Sequence, residues 1–183
     1  MKLIVCGVIA VLALSACASS APVRFYTLSA TAPAQSAAST PNALPGLRVT
    51  RVKIPGEIDR TEIVQRLDTN RLSIAEQDRW AAPLDEMIKR VLTADLQSRA
   101  GPAASADVTV SVDVEEFVGD TTCAVKLSAS WEQKGADAAH TRNGHEVINV
   151  PALSPSPCAP GALPAVMSEA LAQLSQRILT PAP

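Results

Sequence analysis

Two stretches of strict alternation decide most of what this chain can fold into. Val108, Val110, Val112 and Val114 alternate with Thr109, Ser111, Asp113 and Glu115. Cys123, Val125, Leu127, Ala129 and Trp131 alternate with Ala124, Lys126, Ser128, Ser130 and Glu132. Neighbouring side chains of a strand point to opposite faces, so each stretch predicts a strand with one apolar and one wet face. The short link between them predicts an antiparallel pair. A sheet with one apolar face needs a second layer to cover it.

Two helical stripes supply that layer. Leu84, Ile88, Val91, Leu92 and Leu96 recur at helical spacing from Pro83 to Arg99, with Asp85, Glu86, Lys89 and Arg90 on the other side. Pro83 suits a first turn and Gly101-Pro102 closes the segment. Leu163, Met167, Ala170, Leu171, Leu174 and Ile178 line a second predicted helix from about Ala162 to Leu179. Both stripes read as core packing. Shorter strand signals lie at Arg24–Leu28, Leu47–Ile54, Ile63–Leu67, Leu72–Ile74 and Glu146–Val150. Leu47 and Val49 have one parity, Val52 and Ile54 the other, which predicts a bulge near Thr50-Arg51. Asp68-Thr69-Asn70 suits a hairpin and Asn143-Gly144 a two-residue turn. Aromatic residues are 3% of the chain, so Val, Leu, Ile and Ala must fill the core. The expected fold is α+β, a single domain in which an antiparallel-rich β-sheet is packed by two amphipathic helices.

The start of the chain follows another pattern. Lys2 precedes an apolar run from Leu3 to Leu14, and Leu14-Ser15-Ala16-Cys17 ends it. The run falls short of the roughly 20 apolar residues that span a bilayer. A basic start, an apolar stretch and a small-residue site describe an export signal, and the terminal cysteine makes it look like a bacterial lipoprotein signal. The alternative is an ordinary secretory signal with a chance cysteine. On the lipoprotein reading, residues 1–16 are a signal peptide and Cys17 carries the lipid anchor. Residues 17–22 are then a tether and 23–183 the folded domain, which includes a flexible Ala/Ser/Pro loop at 29–46. Several acyl chains are needed, because a single one holds a protein only marginally. No aspartate follows Cys17, which points to the outer membrane with the domain facing the periplasm.

Loss of Lys2 takes the formal charge from −2 to −3, which leaves no footprint for nucleic acid and no polybasic patch for anionic lipid. Of four cysteines, Cys6 leaves with the signal and Cys17 is the anchor. Cys123 and Cys158 remain, and in an oxidising compartment they most simply form a disulfide. A metal site with His140 and His145, or two unpaired thiols, are the other readings, although neither cysteine has a partner at ligand spacing. Nucleophile-elbow, phosphate-loop and H-E-x-x-H motifs are missing from the sequence. His140 and His145 flank the predicted turn as solvated loop residues. Glu115 and Glu116 are strand neighbours and should face opposite ways, a poor acid–base pair. No catalytic residue, cofactor or metal is expected.

The densest unusual stretch runs from Glu57 to Asp85. It holds Asp59-Arg60, Ile63-Val64-Gln65-Arg66, Asn70-Arg71-Leu72 and Arg79-Trp80-Ala81-Ala82-Pro83-Leu84-Asp85. This block resembles the paraquat-inducible protein C family, the auxiliary lipoproteins of ABC-type transport systems. Phe25 to Leu28, Ala129-Ser130-Trp131 and the last helix extend the likeness across roughly Phe25 to Leu179. The resemblance implies a non-enzymatic lipoprotein partnered by an MCE-domain protein and an ABC transporter. Together they are thought to move lipid or other hydrophobic molecules between membranes. Self-association into a homo-oligomer is compatible with that role. Trp80 reads as core, or as a staple on the first turn of the helix it precedes. Arg60, Arg66, Arg71 and Arg79, close to Asp59, Glu62, Asp68 and Asp78, form either a solvated ion-pair surface or a partner-docking face, with Arg60, Arg66 and Arg71 the docking candidates. Other readings are a structural or pilot lipoprotein for another envelope complex and, with no coherent nucleophile and base, a periplasmic hydrolase.

Overall fold

The computed structural model describes residues 21–31, 47–100, 108–135, 141–152 and 158–180. The predicted signal peptide, Cys17, His140 and all but residues 29–31 of the predicted Ala/Ser/Pro loop lie outside them. Seven strands and two helices follow in the order β1 (Arg24–Tyr26), β2 (Arg48–Lys53), β3 (Glu62–Arg66), β4 (Leu72–Trp80), α1 (Leu84–Ala100), β5 (Thr109–Asp120), β6 (Val125–Lys134), β7 (Thr141–Val150) and α2 (Leu163–Leu179). A single 3-10 turn, Pro160–Ala162, leads into α2.

The strands form one mixed sheet in the order β1-β4-β3-β5-β6-β7, with β2 also beside β5. β5 is the spine. Its first half pairs in parallel with β2 and its Gly119–Asp120 end in parallel with β3, while β6 runs antiparallel along its whole other side. The long β5–β6 and β6–β7 ladders are antiparallel, as alternation and short links demand. β2 carries its register shift between Val49 and Arg51, where the change of parity required one.

Both helices lie on one face. Leu84, Met87, Ile88, Val91, Leu92 and Leu96 of α1 are buried, as are Leu163, Met167, Ala170, Leu171, Leu174 and Ile178 of α2. They close over Val110, Val112, Phe117, Leu127 and Ala129 of the sheet. Burying each large aliphatic side chain contributes about 1.5–3 kcal/mol, so these two stripes hold the layers together. Trp80, at the end of β4, is 5% exposed and belongs to this core. The chain after β1 is clipped to both helices: the Ser29 amide donates to Ser168 Oγ (3.1 Å) and the Thr31 amide to Asp95 Oδ1 (3.1 Å).

Asn143-Gly144 does not turn. It lies inside β7, which runs five residues further back than expected, and Gly144 stands opposite Trp131. A Cβ on Gly144 would fall 2.7 Å from the Trp131 ring, so the glycine makes room for the indole and frees no backbone angle. Arg142 lies over the same ring, its guanidinium carbon 5.7 Å from the centroid. Cys123 likewise sits outside the strand, in the β5–β6 turn, with a left-handed φ of 66°. Asp120 Oδ1 shapes that turn by accepting from the Thr122 amide (2.7 Å), the Thr122 hydroxyl (2.6 Å) and the Ala124 amide (3.1 Å).

Candidate partner-docking face

The face of the sheet away from the helices is uncovered among the described residues, and its side chains are mostly charged or hydroxylic. A bulge gives it its centre. The β5–β6 register shifts between Val114 and Glu116, so Glu115 is the extra residue. Glu115 and Glu116 therefore both reach the open face, against the opposite-face expectation from simple alternation.

Glu115 collects three donors there. Ser130 donates to its Oε1 at 2.8 Å, and Ser128 to its Oε2 at 2.9 Å. His145 Nε2 lies 2.9 Å from the same Oε2. The hydrogen bond from His145, then those from Ser130 and Ser128, pull the carboxyl down to about 2. His145 is thus a strand residue paired with Ser130 across β6–β7, and not part of a turn. Ser128, His145 and Glu115 invite comparison with a hydrolytic triad, but the connections are wrong. A relay needs the serine on one ring nitrogen and the carboxylate on the other. Here Ser128 Oγ (3.2 Å) and Glu115 both meet Nε2, and the Ser128 proton already goes to the carboxylate. Glu115 and His145 are also about half exposed, with nothing to exclude water.

Glu116 makes the second cluster. It bridges Arg66 of β3 (3.0 Å) and Lys126 of β6 (2.7 Å) across β5. These three side chains, with Val118 and Val150, line an open groove on the same face. Arg66 therefore borders this face. Arg60 and Arg71 stand apart from it at the two ends of β3, Arg60 with Glu62 (3.3 Å) and Arg71 in the β3–β4 hairpin with Asp68. Their partners respond: Glu62 is lowered by its own backbone amide and Arg60, and Asp68 by the Asn70 amide and Arg71. The three arginines do not form one cluster.

Gln65, next to Arg66, has a structural task. The residue is 7% exposed, and its side-chain amide donates to the Asp120 carbonyl (2.9 Å) and the Cys158 carbonyl (3.4 Å). It thus ties together the two segments that carry Cys123 and Cys158, whose Cα atoms are 5.1 Å apart and whose sulfurs are joined. The Cys158 amide adds a bond to the Thr121 carbonyl (3.0 Å). Among the described residues, no three His, Cys, Asp or Glu side chains gather as a metal site, and no helix is long and apolar enough to cross a membrane.

Residues 26–179 match the family model for the ABC-type transport auxiliary lipoprotein component. The chain belongs to that family. The match spans the sheet from the last residue of β1 and both helices, so the Glu57–Asp85 block is a piece of one continuous likeness. Two curated members of similar sequence are the intermembrane transport lipoproteins PqiC of Escherichia coli K12 and Shigella flexneri. Each is 32% identical over 104 residues, 53% of this chain and 54% of the relative. The chain thus spans about half the length of the curated relatives it matches. Among solved structures, an uncharacterised protein superposes with a TM-score of 0.67 at 20% identity, over 86% of this chain and 97% of its own. A Xanthomonas campestris protein gives 0.61 at 17%, over 85% and 92%. At such identities these two speak for the fold alone.

Proposed function

We propose that this family member is a non-enzymatic lipoprotein of the outer membrane that assists an intermembrane transport system for lipids or other hydrophobic molecules. Its partners on this reading are an MCE-domain protein and an ABC transporter. The observation that carries it is the family match from residue 26 to 179 standing directly behind a lipoprotein-type signal ending at Cys17. The relatives' designation as intermembrane transport lipoproteins supports the cargo class. The lack of an aspartate after Cys17 supports the outer membrane. The Ser128–His145–Glu115 connectivity speaks against hydrolysis.

The open sheet face, bordered by Arg66, is the docking surface in this proposal, with Arg60 and Arg71 flanking it from the two ends of β3. The ion pairs on it are solvated and add little to folding, so they are free to be exchanged for partner contacts. The test is crosslinking in intact cells, purification of the chain and mass spectrometry of what comes with it. Recovery of an MCE-domain protein with its ABC transporter, lost on joint Arg66→Glu and Arg71→Glu substitution, is the expected result. Recovery of a secretion or assembly complex in its place, or complete indifference to the charge reversal, would overturn the reading or its docking face respectively.

A further inference from the structure

Exposed apolar side chains are not scattered over this molecule. Among the described residues the large ones are Val23, Phe25, Leu67, Leu72, Ile74 and Val147. All but Val147 belong to β1 and the residue just before it, to β4 or to the hairpin before β4. Phe25 is 66% exposed, in a protein with few aromatic residues to spare from its core.

The register explains what joins them. β1 runs parallel to β4 and covers only its Asp78–Trp80 end, with Arg24 opposite Asp78. Followed backwards from Arg24, the chain therefore heads in the direction of Leu72 and the β3–β4 hairpin. Five residues separate Val23 from Cys17, and the six steps between their Cα atoms reach at most about 20 Å. If acyl chains on Cys17 lie in a bilayer, the edge of the sheet bearing Val23 and Phe25 cannot stand farther than that from the lipid. The apolar residues that water should disfavour are on the edge that the tether holds down.

We propose that this edge, Val23 and Phe25 with Leu67, Leu72 and Ile74, rests on the phospholipid surface, with Phe25 inserted among the headgroups. The proposal rests on the lipoprotein reading of Cys17. Its chemistry is interfacial: an exposed ring and aliphatic side chains enter, while the nearby charges stay wet and two of the arginines are held in ion pairs. Arg24 is bonded to Asp78 (2.8 Å), and Arg71 to Asp68. Such a surface suits a zwitterionic phospholipid better than a strongly anionic one. The contact supplies the tilt that an acyl anchor alone cannot, and it turns the open face of β5–β7 sideways along the membrane, with Arg71 at the seam.

The test uses the full acylated chain in vesicles of phosphatidylethanolamine and phosphatidylglycerol, with and without brominated acyl chains. Phe25→Trp adds one exposed indole to the buried Trp80 and Trp131, and Val147→Trp does the same on β7. The expected result is a blue-shifted emission from the added Trp at 25, quenched at least twofold by brominated lipid, with none of this at 147. Equal emission at 25 in both vesicle types, from protein whose acylation is verified by mass spectrometry, overturns the membrane contact and leaves the lipoprotein reading standing. An N-terminal peptide without acyl chains overturns both. Emission at 25 that changes only when transport partners are added assigns the edge to a protein and overturns the proposal.

Discussion

The two faces of the sheet are made by the same strands and obey different rules. On the helix side, Val110, Val112, Leu127 and Ala129 are at most 2% exposed and pack by volume. On the other side, Glu115, Ser128, Ser130 and His145 hold one another by hydrogen bonds in contact with water. One face stores stability and the other displays chemistry. Mutations should therefore separate cleanly, stability on one side and association on the other.

The comparison breaks first if the covered face fails to dominate stability. Phe117→Ala removes a ring that is 1% exposed and should cost about 3–5 kcal/mol in urea unfolding. Leu92→Ala should cost about 2–5 kcal/mol. Losses under 1 kcal/mol would mean that the two layers are not packed as described. Next comes the seam between Cys123 and Cys158. The double substitution to Ala opens a loop of sequence separation 35 and should cost about 3–4 kcal/mol on the chain-entropy estimate. Non-reducing peptide mapping of protein from the cell envelope checks the bond itself, and free thiols at both positions would refute it.

Gly144→Ala is a finer probe, because the added methyl must push into the Trp131 ring. A loss of about 1–3 kcal/mol is expected, with altered near-ultraviolet dichroism from the displaced indole. A neutral result would show that the ring has room to move.

The smallest effect belongs to the open face and is read by pH. Glu115 ionises near 2, below its ordinary 4.5. Its contribution to stability is therefore complete above about pH 4.5 and lost as pH falls through about 2. Carboxyl NMR should place its midpoint near 2, and Glu115→Gln should flatten the acid dependence of unfolding in that window by lowering stability at neutral pH, where the ionised Glu115 contributes. A midpoint above 4 would dissolve the cluster.

Much of this was legible in the chain. The alternations at 108–115 and 123–132 became the paired β5 and β6, and the two aliphatic stripes became helices within one residue of their expected ends. Period is local, and sequence carries local information directly. Asn143-Gly144 misled because a turn signature and a strand glycine that clears a ring are the same two letters; the deciding neighbour, Trp131, is thirteen residues before Gly144. Glu115 misled because a bulge moves one residue across the pleat without changing composition. No signal short of the β6 register reveals that shift. The serines at 128 and 130 facing that bulge were a faint hint.

The sequence alone determined the class of the protein: a sheet with one greasy face, two helices to cover it, and a block of residues that marks the family. Tertiary structure alone decided which strands lie parallel, because β2 and β3 meet β5 through ladders whose partners are more than fifty residues apart. It alone gathered Glu115, Ser128, Ser130 and His145, and it alone set Phe25 beside the end of β4. The physical reason is the same in each case. Burial and periodicity are properties of a residue and its near neighbours, whereas register is a property of two distant segments and exists only once the core has closed around both.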